Sequence, residues 1–182
     1  MKKVQIIQSA IAGLLLLAVG CGQSSAPAPS ASAEPSVPDA LAAVFQDVAA
    51  TESIQPIPEL RTSVSPGDTV VVEAKVMGDM NPFVENRALF VVGDEGTLTS
   101  CDLRGDEGHC DTPWDNCCDD PKALRAGTAT IQVVDANGQV IKHSIRGLEG
   151  LKELSRIRVK GVVAPQATEG ALIINATAID VL

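Results

Sequence analysis

The feature that most constrains the fold is a series of strand-like segments after residue 65. They are rich in Val, Ile and Thr and are separated by Gly, Pro, Asn and Asp: 69–77, 87–92, 128–135, 156–164 and 171–181. Asn137-Gly138 follows the third segment and is a strong hairpin signal, with 139–142 as the second arm. Residues 148–154 carry leucine at every third position, which indicates a short helix. The sequence therefore predicts an all-β domain with a minor helix.

The order of these segments suggests a particular barrel. Three strands, a short helix and two further strands are the element order of the OB-fold, a small five-stranded Greek-key barrel. Gly161 lies partway along the fourth segment, and glycine suits the sharp bends that strands of small barrels need. We therefore predict an OB-fold-like barrel over residues 66–182, with a β-sandwich carrying one helix as the alternative.

The segment before this domain has a helical pattern. Four apolar side chains recur at i, i+3, i+4 and i+7, which places them on one face of a helix: Leu41, Val44, Phe45 and Val48. Asp39 provides a start signal, and Pro56 and Pro58 close the segment. We predict a short amphipathic helix and linker over residues 39–65, with the apolar face docked on the following domain.

The first residues have the pattern of an export signal. Residues 1–20 comprise a basic start, a short apolar run and small residues before Cys21. This end resembles the lipobox of bacterial lipoproteins. The resemblance implies a lipid on Cys21, with palmitate among its acyl chains, and a cleaved signal peptide with an incidental cysteine is the alternative. Gly22 follows where an inner-membrane signal usually has Asp, which favours the outer membrane, facing the periplasm.

Residues 21–38 are rich in Pro, Ala and Ser, and such a segment cannot bury enough apolar area to fold. We interpret it as an extended tether that could hold the domain about 50 Å from the lipid.

Charge and composition exclude some classes of function. The chain has 14 Lys and Arg against 23 Asp and Glu, a formal charge of −9, and 2% aromatic residues. Nucleic-acid binding needs clustered basic and aromatic side chains, so we expect no nucleic-acid partner. The sequence also lacks the G-x-S-x-G, H-E-x-x-H and P-loop motifs. We therefore predict a protein that is not an enzyme.

The chemically unusual segment is an acidic loop at 101–121, between the second and third predicted strands. It contains seven acidic residues, one arginine and four cysteines: Cys101, Cys110, Cys117 and Cys118. Pro82-Phe83-Val84, the strand at 87–92 and the pattern Cys110-x-Thr-Pro-Trp-Asp-x-Cys-Cys together resemble a family of secreted bacterial lipoproteins with an OB-fold-like domain. The resemblance brings no activity with it.

Three interpretations of the cysteines compete. In an oxidising compartment, four cysteines favour two disulfides. A bond between Cys117 and Cys118 would be strained, so each would pair with Cys101 or Cys110, in either of two arrangements. Alternatively, the cysteines and His109 bind Zn²⁺ or Cu⁺, although the spacing is unlike that of structural zinc sites. A redox-active pair is the least favoured, because no Cys-x-x-Cys motif is present.

We predict from these features a lipid-anchored protein of the cell envelope with a non-enzymatic binding function. The acidic loop at 101–121, held by two disulfides, would be the recognition edge for a protein or another envelope component, with Phe83 and Trp114 as candidate contacts. No cofactor is expected under this interpretation. The alternative function is zinc or copper binding by the Cys/His loop.

Overall fold

A computed structural model describes residues 36–78, 80–105 and 111–182. The predicted signal peptide at 1–20, Cys21 and most of the predicted tether lie outside the described residues, as do His109 and Cys110. In the part of the chain that is described, no helix is long and apolar enough to cross a bilayer.

Five strands close into a barrel, as the sequence predicts. They are β1 (Thr69–Lys75), β2 (Leu89–Gly93), β3 (Thr128–Gln132), β4 (Arg156–Val163) and β5 (Ile173–Val181). Their order around the barrel is β1-β2-β3-β5-β4, and the β3–β5 pair is parallel whereas the other pairs are antiparallel. The prediction of a small all-β, OB-like barrel is confirmed.

Alternation along the strands builds the core. Along β4, Ile157 and Val159 are buried, whereas Arg156, Arg158 and Lys160 lie on the outer face. The interior contains aliphatic side chains and a single ring, that of Phe90, which is fully buried and belongs to one cluster with residues from all five strands. Burial of this apolar surface is the main stabilising contribution to the barrel.

A bulge bends β4 where the sequence places Gly161. The register between β4 and β5 shifts between Lys160 and Gly161. A Cβ atom on Gly161 would lie 2.5 Å from the backbone oxygen of Asn175. Glycine is therefore needed here because β5 approaches β4 too closely for a side chain.

The predicted amphipathic helix at the start of the domain is shorter than its apolar pattern, which runs to Val48. Helix α1 (Asp39–Ala42) has four residues, and the chain then becomes extended. The Ile179 N–H donates to the Val44 carbonyl at 2.7 Å, and the Gln46 N–H donates to the Ile179 carbonyl at 3.2 Å. Since β3 pairs with β5 only at residues 173–175, this part of β5 has unpaired backbone groups that the extended segment satisfies. Leu41, Val44 and Val48 are nevertheless buried.

A second helix, α2 (Ile57–Ser63), begins at the two prolines that sequence analysis assigned to a helix end. Pro56 is its N-cap residue and Pro58 lies in its first turn. Proline is tolerated there because the N–H groups of a first turn have no partner within the helix. Ile57 and Leu60 are fully buried in the same core as the strands.

Two other predicted elements are smaller than expected. The helix at 148–154 is a single 3-10 turn, Leu148–Gly150, because Glu149 and Leu154 adopt the left-handed conformation, at φ 45° and 66°. The hairpin after β3 forms its turn, but outside the named strands its arms meet in one bridge, between Val134 and Val140.

Candidate functional site

The loop between β2 and β3 brings three cysteine sulfurs together. The Sγ atoms of Cys101, Cys117 and Cys118 all lie within 4.8 Å of one another. Cys101 is buried in a 3-10 turn, Cys101–Leu103, and the other two are exposed. Cys101 lies sixteen positions before Cys117 in the chain, and the fold makes the two residues neighbours.

The arrangement of the two adjacent cysteines is informative. Their Sγ atoms are 3.9 Å apart, whereas a disulfide has an S–S distance of about 2.05 Å. No two of the described cysteines are at disulfide distance. A tetrahedral ion with Zn–S bonds of about 2.3 Å separates its sulfurs by about 3.8 Å. The adjacent sulfurs are therefore placed as two ligands of one ion would be.

Backbone hydrogen bonds hold the cluster in shape. The Cys101 N–H donates to the Asp115 carbonyl at 2.7 Å, and the Asp102 N–H donates to the Pro113 carbonyl at 2.8 Å. The Asp115 carboxylate accepts the Asn116 N–H at 2.7 Å. The first two bonds join the 3-10 turn to the segment that leads into the Cys117-Cys118 pair, so the three sulfurs of the two segments lie within 4.8 Å of one another.

A buried lysine lies beneath the loop. Lys75, the last residue of β1, is 6% exposed. Its ammonium group donates to the Ser100 hydroxyl at 2.8 Å and to both carboxylate oxygens of Asp102 at 3.2 Å. No sequence pattern marks this residue, because a lysine within a predicted strand is ordinarily exposed. It provides a second cation for a loop that has only one arginine of its own.

The acidic side chains are not simply a solvated face. Asp119 pairs with Arg104 and also accepts the Thr99 N–H at 2.8 Å. Asp120 accepts the Lys122 N–H at 2.8 Å and so caps helix α3 (Pro121–Gly127), an element that the sequence did not predict. Several carboxylates of the loop therefore have structural roles.

The two predicted binding contacts, Trp114 and Phe83, are half-buried. Trp114 fastens the loop to the β1–β2 connection: its indole N–H donates to the Met80 carbonyl at 3.0 Å, and its own carbonyl accepts the Gly78 N–H at 3.0 Å. Phe83 packs on Phe90, with ring centroids 5.6 Å apart. Both rings thus make contacts within the fold, and the packing of Trp114 agrees with the expectation that a tryptophan beside Pro113 forms a local mini-core under the loop.

The exposed apolar side chains near the loop are different ones. Met80 and Leu103 are each 65% exposed. Neither residue is marked by a sequence pattern, because single apolar residues on a surface are common and give no signal by themselves.

Comparison of the chain with protein-family models, curated proteins and solved structures gave no match. The interpretation of the site therefore depends on its geometry.

Proposed function

We propose that the protein is a non-enzymatic, lipid-anchored envelope protein that binds a thiophilic metal ion, Zn²⁺ or Cu⁺. Cys101, Cys117 and Cys118 are the ligands, and Cys110 and His109 are candidates for a fourth. The observation that carries the proposal is the convergence of three sulfurs within 4.8 Å of one another. Thiolates are the ligands that both ions favour.

The geometry weakens the main sequence-based objection to a metal site. The spacing of the cysteines along the chain is unlike that of structural zinc sites, but the fold places the Cys117 and Cys118 sulfurs 3.9 Å apart and brings Cys101 to them. The local charge supports the proposal as well. Lys75 and Arg104 pair with Asp102 and Asp119, which lessens the repulsion that thiolates would meet from these carboxylates.

Intact mass spectrometry of the whole protein, purified anaerobically in detergent, tests the proposal. We expect one zinc or copper ion under native conditions and fully reduced cysteines after denaturation. The double variant C117S/C118S should lose the ion. D111N, which removes an exposed acid from the same loop, is the matched control and should retain it.

One outcome of the same mass measurement would contradict the metal site. A mass short by four hydrogens, without a bound ion, would mean two disulfides and would overturn the metal site.

The lipid anchor has a separate test: incorporation of labelled palmitate should be abolished by C21S.

A second candidate function is binding of an envelope protein through the same loop. The exposed Leu103 and Met80 side chains near the half-buried Trp114 favour it, because apolar contacts of this kind anchor protein interfaces. A photo-crosslinker at position 103 in intact cells should give a discrete adduct. The same pattern of adducts from position 152, an exposed lysine elsewhere, would contradict specific binding.

A further inference from the structure

A cavity of about 440 Å³ lies between α2, α3 and the connection from β4 to β5. Three basic residues line it, Arg61 from α2 and Lys122 and Arg125 from α3, together with one acid, Glu169. Cavities that hold small ligands are typically about 300–1,000 Å³. The cavity is therefore large enough for a small anion or an anionic head group, and it involves none of the cysteines.

This concentration of positive charge is unusual in a chain of net charge −9. Six basic residues of the described chain form ion pairs: Lys75, Arg104, Arg146, Arg156, Arg158 and Lys160. Arg61, Lys122 and Arg125 form none with any described acid. Since Lys122 and Arg125 are three positions apart on one helix, they lie on the same face. Its three basic side chains against one acid leave the cavity with a surplus of two positive charges.

Arg61 is held in place by the backbone. Its Nε donates to the Ala126 carbonyl at 3.1 Å, its Nη1 donates to the Glu169 carbonyl at 3.0 Å, and its Nη2 donates to the Thr128 carbonyl. A guanidinium has five N–H donors, so two remain. Burial lowers the pKa of Arg61, because the charged guanidinium is partly removed from water. A bound anion would compensate this charge.

We propose that this cavity binds a phosphoryl group, either as inorganic phosphate or as a phosphate monoester head group. A dianion near pH 7 matches the surplus charge, and the guanidinium fork matches the geometry of phosphate oxygens. Arg61 is the fixed element of the site, and Lys122 and Arg125 close over the anion from the exposed helix.

The test is titration calorimetry of the whole protein with inorganic phosphate at low ionic strength. Saturable binding is expected, and K122Q/R125Q should weaken it by at least about tenfold, because charge-assisted hydrogen bonds are lost. K142Q/K152Q is the matched control, since it removes two exposed lysines from other surfaces and changes the net charge equally. Its affinity should stay within about twofold, because distant surface charges are screened.

A second variant guards against a folding artefact. E169Q removes the one acid of the cavity and should tighten phosphate binding by about two- to threefold, because like-charge repulsion is lost. Arg61 is left unchanged because its three carbonyl contacts join α2 to α3, to β3 and to the connection from β4 to β5.

Two further measurements decide the source of the group. Flotation with vesicles containing phosphatidic acid, compared with phosphatidylcholine alone, tests a lipid head group. Free phosphate binding or selective binding to phosphatidic acid supports the proposal and identifies the source. The proposal is overturned if neither binds, if acetate binds as tightly as phosphate, or if the control variant loses as much affinity as K122Q/R125Q.

Discussion

The barrel wall and the cysteine loop of residues 101–121 are held by different forces. In the wall, β1 and β4 pair continuously from Thr69 to Lys75, and aliphatic side chains fill the interior. In the described part of the loop, only Cys101 and Asn116 are buried. The loop instead depends on single hydrogen bonds and on ion pairs, one of which comes from Lys75 in the wall. We therefore expect the barrel to unfold as one cooperative unit and the loop to unfold separately from it.

The chain offers a direct way to measure the two regions separately. Trp114 is its only tryptophan, there is no tyrosine, and Trp114 belongs to the loop. Indole fluorescence therefore reports the loop, whereas far-ultraviolet circular dichroism reports the barrel.

The largest effect should follow from G161A, which challenges the wall. The added Cβ would lie 2.5 Å from a backbone oxygen of β5, where no flexible side chain can move aside. We expect a loss of about 3 kcal/mol in the free energy of unfolding, with fluorescence and circular dichroism shifting together. G170A is the control, because its Cβ would meet nothing closer than 3.7 Å. Equal effects of the two variants would contradict the bulge.

A smaller effect, confined to the loop, should follow from K75M. The substitution keeps the apolar stem but leaves the buried Ser100 hydroxyl and the Asp102 carboxylate without their donor. We expect the loop to lose about 2 kcal/mol, so the fluorescence transition in urea should precede the circular dichroism transition.

The control for K75M is K160M, which removes a lysine whose ion pair with Glu52 is more exposed than the pair of Lys75 with Asp102. Exposed pairs contribute at most about 1 kcal/mol. If K75M behaved like K160M, or if its two transitions stayed coincident, the loop would not be a separable unit.

The smallest effect should be at the hairpin turn after β3. Backbone N–H groups of Gln139 and Asn137 donate to Asp135 and lower its pKa. The stabilisation is present above the unfolded pKa of about 3.9 and is lost as the pH falls through the lower folded value. D135N should flatten this acid-side decline in thermal midpoint, while D111N should leave it unchanged. An identical decline in D135N and the parent protein would contradict the assignment.

Sequence patterns were sufficient for the barrel because burial alternates with strand period. The alternation of Ile157 and Val159 with charged neighbours fixes which side of β4 faces inward. Sequence patterns failed for the segment after Asp39. The apolar spacing there is compatible with a helix, but an extended chain can bury the same residues. The open edge of β5 at Ile179, which no local pattern reveals, decided between the two.

For the two candidate sites, too, part of the description follows from the sequence and part from the tertiary structure. The sequence by itself determined that four cysteines and seven acids share one loop, and that the chain around them is a small β-barrel. Only the tertiary structure decided that Cys101 meets the Cys117-Cys118 pair and that Lys75 donates a hydrogen bond to Ser100 beside the loop. It also decided that three basic side chains from two helices line one cavity. The physical reason is that burial has a local period along the chain, whereas ligand sets and charge pairs depend on which distant segments the fold brings together.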